Sequence, residues 1–230
     1  MIAGMRSGTS GREFRAASRS LSLDWPRLGG AAAICAPAVM WTEFISISLT
    51  RPGYNILMRP ASDLATRGVP HAELFTVGFF YLAGILTVLV GIALWMSVRG
   101  GWLWRLGAAQ VMLVGVLLTL TGVFPQDPAS TDATNLHRLV SQACFMVAAA
   151  VPLTLLLGAP AAHAPRPLRQ LWLASGLALI AIEAGGIVLR LLSTFPAEGL
   201  FQRPFTLALT AWFCATGVWL LRFGRTSSAA

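Results

Sequence analysis

The sequence contains no lysine: all 17 of its basic residues are arginine. Charge of either sign is scarce, at 11% of residues, against roughly 25% in an ordinary soluble domain. That deficit runs the length of the chain and argues against a solvated globule with charged faces. Cysteine is equally thin. Cys35, Cys144 and Cys214 stand alone inside apolar runs, so neither a disulfide framework nor a cysteine-based zinc site is expected; they read as small buried hydrophobes. The 3 histidines form no HxxxH or HExxH pair, so no metal is expected, and no cofactor is expected either. A net charge of +8 would suit a nucleic-acid partner, but no module signature of that class is present, and none is expected as a partner.

What is present is hydrocarbon. Hydrophobic residues make up 56% of the chain, and its mean hydropathy is +0.68. Six apolar runs stand out, near Ala31–Leu49, Leu74–Val98, Leu103–Phe124, Leu139–Gly158, Leu171–Thr194 and Phe205–Leu221. Each is about 17 to 25 residues, enough to cross about 30 Å of hydrocarbon at about 1.5 Å per residue. Backbone polar groups in lipid must pair within their own segment, so the runs should be helices. The expected fold is all-α, a polytopic membrane bundle of six transmembrane helices spanning residues 29–223. The polar Ser, Gly and Arg-rich stretch at 1–28 reads as a disordered cytoplasmic tail rather than a signal peptide, and 224–230 as a second short tail.

Arginine sets the expected orientation. With the N-terminus inside, eleven arginines fall on inner segments and five on outer ones (Arg51, Arg59, Arg67, Arg138 and Arg203), with Arg190 inside a span. Trp25, Trp95, Trp102, Trp104, Trp172 and Trp219 gather near the inner interface, as an aromatic belt would. The bundle is therefore read as N-in and C-in. The three outer connections, Thr50–Glu73, Pro125–Arg138 and Phe195–Pro204, then open on one side, where their polar groups can converge.

Those connections hold the candidate site. In the first, Ser62-Asp63-Leu64 resembles a helix start with Ser or Asp as cap; Asp63 is either that cap, an arginine partner or the lining of a polar cavity. His71 reads as a solvated interfacial residue. In the second, Asp127-Pro128 favours a turn. His137 begins the fourth span, and His137, Ser141 and Cys144 share one helical face. His137 is either a structural hydrogen-bonding residue or an acid–base group. In the third, Arg203 is placed to clamp an anion or to pair with Asp63 or Asp127.

Glu43, Glu183 and Arg190 lie inside spans, where an ion costs about 2.5–3.5 kcal/mol on insertion scales. Such groups face the bundle interior and need partners. Glu43 lies about 12 Å, Glu183 about 18 Å and Arg190 about 8 Å from the outer helix ends, so Arg190 can reach Glu43 if the first and fifth spans are neighbours. Small residues recur at intervals of seven, Gly84 and Gly91 on the second span and Ala108, Gly115 and Gly122 on the third, a pattern that permits tight helix contact in lipid. Phe-Pro-x-acid occurs twice at outer helix ends, at Phe124 and Phe195.

Four segments give the chain a resemblance. PGYN with ASDLATRG, FYLAG, GVFPQDP followed by NLH, and GLFQR are similar to elements of the domain-of-unknown-function-998 family of bacterial six-helix membrane proteins. The resemblance covers about Ala31 to Arg222. Ala61 stands where the family usually has isoleucine. It implies a multi-pass protein of the bacterial plasma membrane and brings no established activity. Residue by residue it singles out Ser62, Asp63, Asp127, His137 and Arg203. Three functions fit: binding or handling of an amphiphile or lipid headgroup at an outer polar crown; a membrane enzyme on a lipid-like or isoprenoid substrate, with Asp63, Asp127 or His137 as acid–base groups; and a small proton-coupled transporter using Glu43, Glu183 and Arg190. The expected partners are the lipid bilayer and an amphiphilic small molecule. Nothing points to a protein partner.

Overall fold

The computed structural model describes residues 23–98, 100–159, 164–192 and 198–227. It contains six long helices: α1 Trp25–Thr50, α2 Ala72–Ser97, α3 Trp102–Val123, α4 Thr131–Gly158, α5 Arg166–Leu192 and α6 Glu198–Ser227. All six are long and apolar enough to cross a membrane. No strand occurs among the described residues. Of the expected tails at 1–28 and 224–230, residues 1–22 and 228–230 lie outside the described residues, as does the second Phe-Pro pair at 195–196, while 25–28 and 224–227 belong to α1 and α6.

Several helices start earlier than their apolar runs, because caps and not hydropathy set their ends. The carboxylate of Asp24 accepts from the Arg27 N–H at 3.2 Å, with Pro26 in the first turn. The Ser130 hydroxyl accepts from the Ala133 N–H at 3.3 Å, and Asp132 favours the positive end of the same helix. So α4 begins at Thr131 rather than Leu139, and His137 lies one turn and more inside it. Likewise α6 begins at Glu198 rather than Phe205, and Gly199–Pro204, expected as loop, forms its opening turns. Pro204 forfeits one helical hydrogen bond there.

The helices form a ring. Each packs on its neighbours in the chain, and α6 closes back onto α1. Helix α6 thus stands between α1 and α5, which does not fit the expected approach of the first and fifth spans; the Arg190 side chain lies outside the described residues. The expected small-residue contact does form. A Cβ on Gly84 would lie 2.8 Å from the Gly115 carbonyl, one on Gly115 2.5 Å from the Gly84 carbonyl, and one on Gly91 2.9 Å from the Ala108 carbonyl. The α2 and α3 backbones touch, and any larger residue would separate them.

The end of the bundle where α1 begins and α6 ends is filled. Trp104, Trp172 and Trp219 pack together with ring centroids 5.9 to 6.2 Å apart, among buried Leu94, Leu155 and Leu220. The Trp104 indole donates to the Leu94 carbonyl at 3.0 Å and that of Trp172 to the Thr216 hydroxyl at 3.1 Å. This corrects the belt assignment: three of the six tryptophans plug the core, two of them with indole N–H groups bonded internally, while Trp95 and Trp102 remain exposed.

Near the opposite end, α2 widens into a π-helical segment, Thr76–Leu82. The change of pitch turns two successive side chains, Phe79 and Phe80, inward together; they pack on Phe75 at 4.6 and 5.9 Å. Hydropathy carries no sign of this segment.

Candidate ligand cavity beneath a polar crown

The connections at the end opposite the start of α1 are tied into one crown. The first runs from Arg51 to His71 and includes a 3-10 turn at Ala61–Ala65. The Arg67 N–H donates to the Gln126 carbonyl at 2.9 Å, and the Arg67 guanidinium pairs with Asp127 at 3.0 Å. The Gln126 amide donates to the Ser62 hydroxyl at 3.1 Å. The Gly199 N–H donates to the Met58 carbonyl at 3.1 Å. A Cβ on Gly199 would lie 2.5 Å from the Leu57 carbonyl, so this approach requires glycine. The expected convergence is therefore present, carried by residues that chain order alone did not pair.

Arg203 is the principal staple. Its guanidinium donates to the carbonyls of Ile56 at 3.2 Å and Arg59 at 2.7 Å, to the Tyr54 hydroxyl at 3.1 Å and to Gln202 Oε1 at 2.7 Å. It also lies 4.2 Å over the Phe44 ring. Gln202 Oε1 in turn accepts from the Ala61 N–H at 2.7 Å, holding the 3-10 turn. Arg203 pairs with neither Asp63 nor Asp127. Tyr54 donates to the Pro60 carbonyl at 2.9 Å, and burial raises its pKa, opposed by the Arg203 charge.

Beneath the crown lies a cavity of about 1020 Å³ that all six helices help to line. This is at the upper end of small-molecule sites, which run to about 1,000 Å³. Its mouth carries Arg59, Ser62, Asp63, Gln126, Arg138 and Glu198. Deeper walls are apolar: Met40, Phe79, Phe80, Leu118, Phe145 and Phe205. Gln142 and Glu183 form a polar station in that wall, the Gln142 amide donating to the Glu183 carboxylate.

The candidate residues divide on this geometry. Ser62, Asp63, His137 and Glu183 line the cavity, as do Ser141 and Cys144 from the His137 face of α4. Asp127 and Arg203 do not: Asp127 is spent on Arg67 and on the Ala129 N–H at 2.9 Å. Glu43 is also outside it, packed where a Cβ on Gly78 would lie 2.7 Å from its carboxylate oxygen, against the π-helical segment. Neither Ser62 nor Asp63 caps the 3-10 turn, and His71 is an exposed residue at positive φ (62°) before α2.

Asp63 is one of the ionisable groups at the mouth. Arg59 stands 3.9 Å away and is half-exposed, while Arg51 donates to the Asp63 main-chain carbonyl and not to its carboxylate. Burial raises the Asp63 pKa; Arg59 and Arg51 only partly offset this. His137 is 1% exposed. Its Nδ1 lies 2.7 Å from the Phe124 carbonyl, which makes Nδ1 the protonated nitrogen in a neutral ring. Nε2 is left buried with no hydrogen-bond partner, a cost of about 1–3 kcal/mol for an unsatisfied group. Among the described residues no three His, Cys, Asp or Glu side chains come together as a metal-binding set.

Residues missed by sequence reasoning are Gln126, Gln142 and Gln202. Neutral amides leave no mark in charge or hydropathy, and only Gln142, five residues beyond His137 in a strongly apolar run, offered a positional hint. Residues 34–219 match the family model described as Protein of unknown function (DUF998). No curated protein and no solved structure matches the chain.

Proposed function

The chain belongs to the DUF998 family of proteins of unknown function, and we propose that it binds an amphiphile in the cavity beneath the crown. One observation carries this reading: a single cavity of about 1020 Å³ joins a polar mouth to phenylalanine-rich walls. A polar group fits the upper part and a hydrocarbon chain the lower. We place the crown on the outer face of the bacterial cell membrane, with both termini inside, from the arginine distribution.

Acid–base chemistry on a lipid-like substrate is a second reading, favoured by His137 and Asp63 lining the same cavity. It would require His137 Nε2 to take a proton directly from the substrate, since no hydrogen bond joins the ring to Asp63 or Asp127 among the described contacts. A carrier receives less support. Below Glu183, among the described residues, the bundle is packed with Leu94, Leu155, Trp104 and Trp172, all buried.

The test is native mass spectrometry of the protein released from lipid nanodiscs. Wild type should retain an amphiphile adduct. Gly186→Phe should lose it while keeping its helix content, because Gly186 lines the cavity and its Cβ would meet Phe201 no closer than 3.6 Å. Equal adducts on both proteins, or none on wild type, would refute the reading. An adduct whose mass changes with incubation in wild type and not in His137→Gln would favour the enzyme.

A further inference from the structure

Three hydroxyls on the cavity wall have only acceptor capacity left over. The hydroxyls of Thr121, Ser141 and Thr206 all line it, and each donates its proton back along its own helix, to Leu117 at 2.8 Å, His137 at 2.7 Å and Gln202 at 2.7 Å. What each turns to the cavity is lone pairs. Asp63 and Glu183 contribute carboxylate oxygens.

The crown's cations do not balance these acceptors. Arg51 and Arg203 spend their bonds on main-chain carbonyls and Arg67 on Asp127. Arg59 and Arg138 line the mouth, half-exposed and exposed. Affinity must come from this polar region, because a hydrocarbon chain leaving the bilayer for an apolar pocket gains little: lipid tails are as apolar as the wall.

We propose that the headgroup taken into the cavity is a hydrogen-bond donor, the hydroxyls of a sugar or polyol or an ammonium group, and not a phosphate. This rests on the amphiphile-binding reading and specifies its ligand. A phosphate oxygen is an acceptor and would meet the acceptors of Asp63, Glu198, Ser141 and Thr206, with Arg59 and Arg138 solvated at the rim. A hydroxyl or ammonium finds a partner at Asp63 and at the freed lone pairs of Ser141 and Thr206.

The test uses three probes of equal chain length, dodecyl maltoside, dodecylammonium and dodecyl phosphate, each added at one mole fraction to full-length protein in phosphatidylcholine nanodiscs. The readout is the thermal unfolding midpoint and its dependence on probe concentration. Either donor probe should raise the wild-type midpoint, the maltoside if hydroxyls are read and the ammonium if charge is. Dodecyl phosphate should not. Asp63→Ala should weaken the effective donor probe by about tenfold, the worth of one hydrogen bond to a charged group. Glu183→Gln gives a second variant should Asp63→Ala not fold. Stabilisation by the phosphate probe, lost in Arg138→Gln, would overturn the headgroup assignment and leave amphiphile binding standing. No response to any probe, together with no native adduct on wild type, would overturn both.

Discussion

Replacing Arg203 separates a structural staple from an anion clamp. Its guanidinium reaches the Ile56 and Arg59 carbonyls and the Tyr54 hydroxyl, and covers Phe44 at 4.2 Å. A hydrogen bond from a charged donor is worth about 1.5–3 kcal/mol when enclosed. The two carbonyls are near solvent, where water replaces the lost donor, so each counts for about 0.5–1 kcal/mol. The Tyr54 bond, partly buried, and the ring contact add about 1 kcal/mol each. Arg203→Ala should therefore lower the opening free energy of the first connection by about 3 kcal/mol, roughly a hundredfold in an equilibrium. Hydrogen–deuterium exchange of the amides from Tyr54 to Ala65 measures this directly. The Ala61 N–H should respond too, because Gln202 connects it to Arg203. Arg203→Lys should recover less than half the loss, since one ammonium cannot reach two carbonyls and a phenol at once. Unchanged exchange in Arg203→Ala with loss of a bound anionic lipid would refute the staple and restore the clamp.

The remaining predictions address packing, titration and topology. Gly84→Ala places a Cβ 2.3 Å from Thr119 Oγ1 and should cost about 1–3 kcal/mol by forcing α2 from α3. Gly185→Ala meets nothing within 4 Å and should stabilise by about 0.5–1 kcal/mol; thermal unfolding in nanodiscs reads both. Burial raises the Asp63 pKa, so the folded state holds that proton more tightly than the unfolded state does. Stability from this residue is then present at low pH and lost as pH rises through the raised folded value. Wild type should lose more stability than Asp63→Asn between pH 4 and pH 7, and parallel curves would contradict the burial argument. A cysteine at Ser130 should react with an impermeant thiol reagent on intact cells and one at Arg166 should not; the opposite pattern would invert the orientation.

The fold was legible because membrane helices are written in hydropathy. Six runs were visible, and the spacing of Gly84, Gly91, Ala108 and Gly115 permitted the α2–α3 contact without specifying which helices meet. Helix starts were less legible: at Ser130 and Glu198 polar residues continue the helix, and an apolar count stops short of them. At the site, Asp63 and His137 stood out as charge and histidine in an apolar chain, and both line the cavity. Arg203 stood out equally, yet its bonds go to carbonyls, which no side-chain pattern records. The cavity itself was invisible, because it depends on ring closure by α6 and on the π-helical turn that brings Phe79 and Phe80 inward together.

Photocrosslinking tests the central claim most directly. Benzoylphenylalanine would replace Leu118, on the cavity wall, or Leu113, on the lipid-exposed side of the same helix. Membranes would be irradiated before and after exchange of bulk lipid in nanodiscs. The Leu118 position should yield one dominant amphiphile adduct that persists through exchange, while the Leu113 adducts follow the bulk composition. If the Leu118 probe captures only protein or the exchanged bulk lipid, the cavity holds no specific amphiphile.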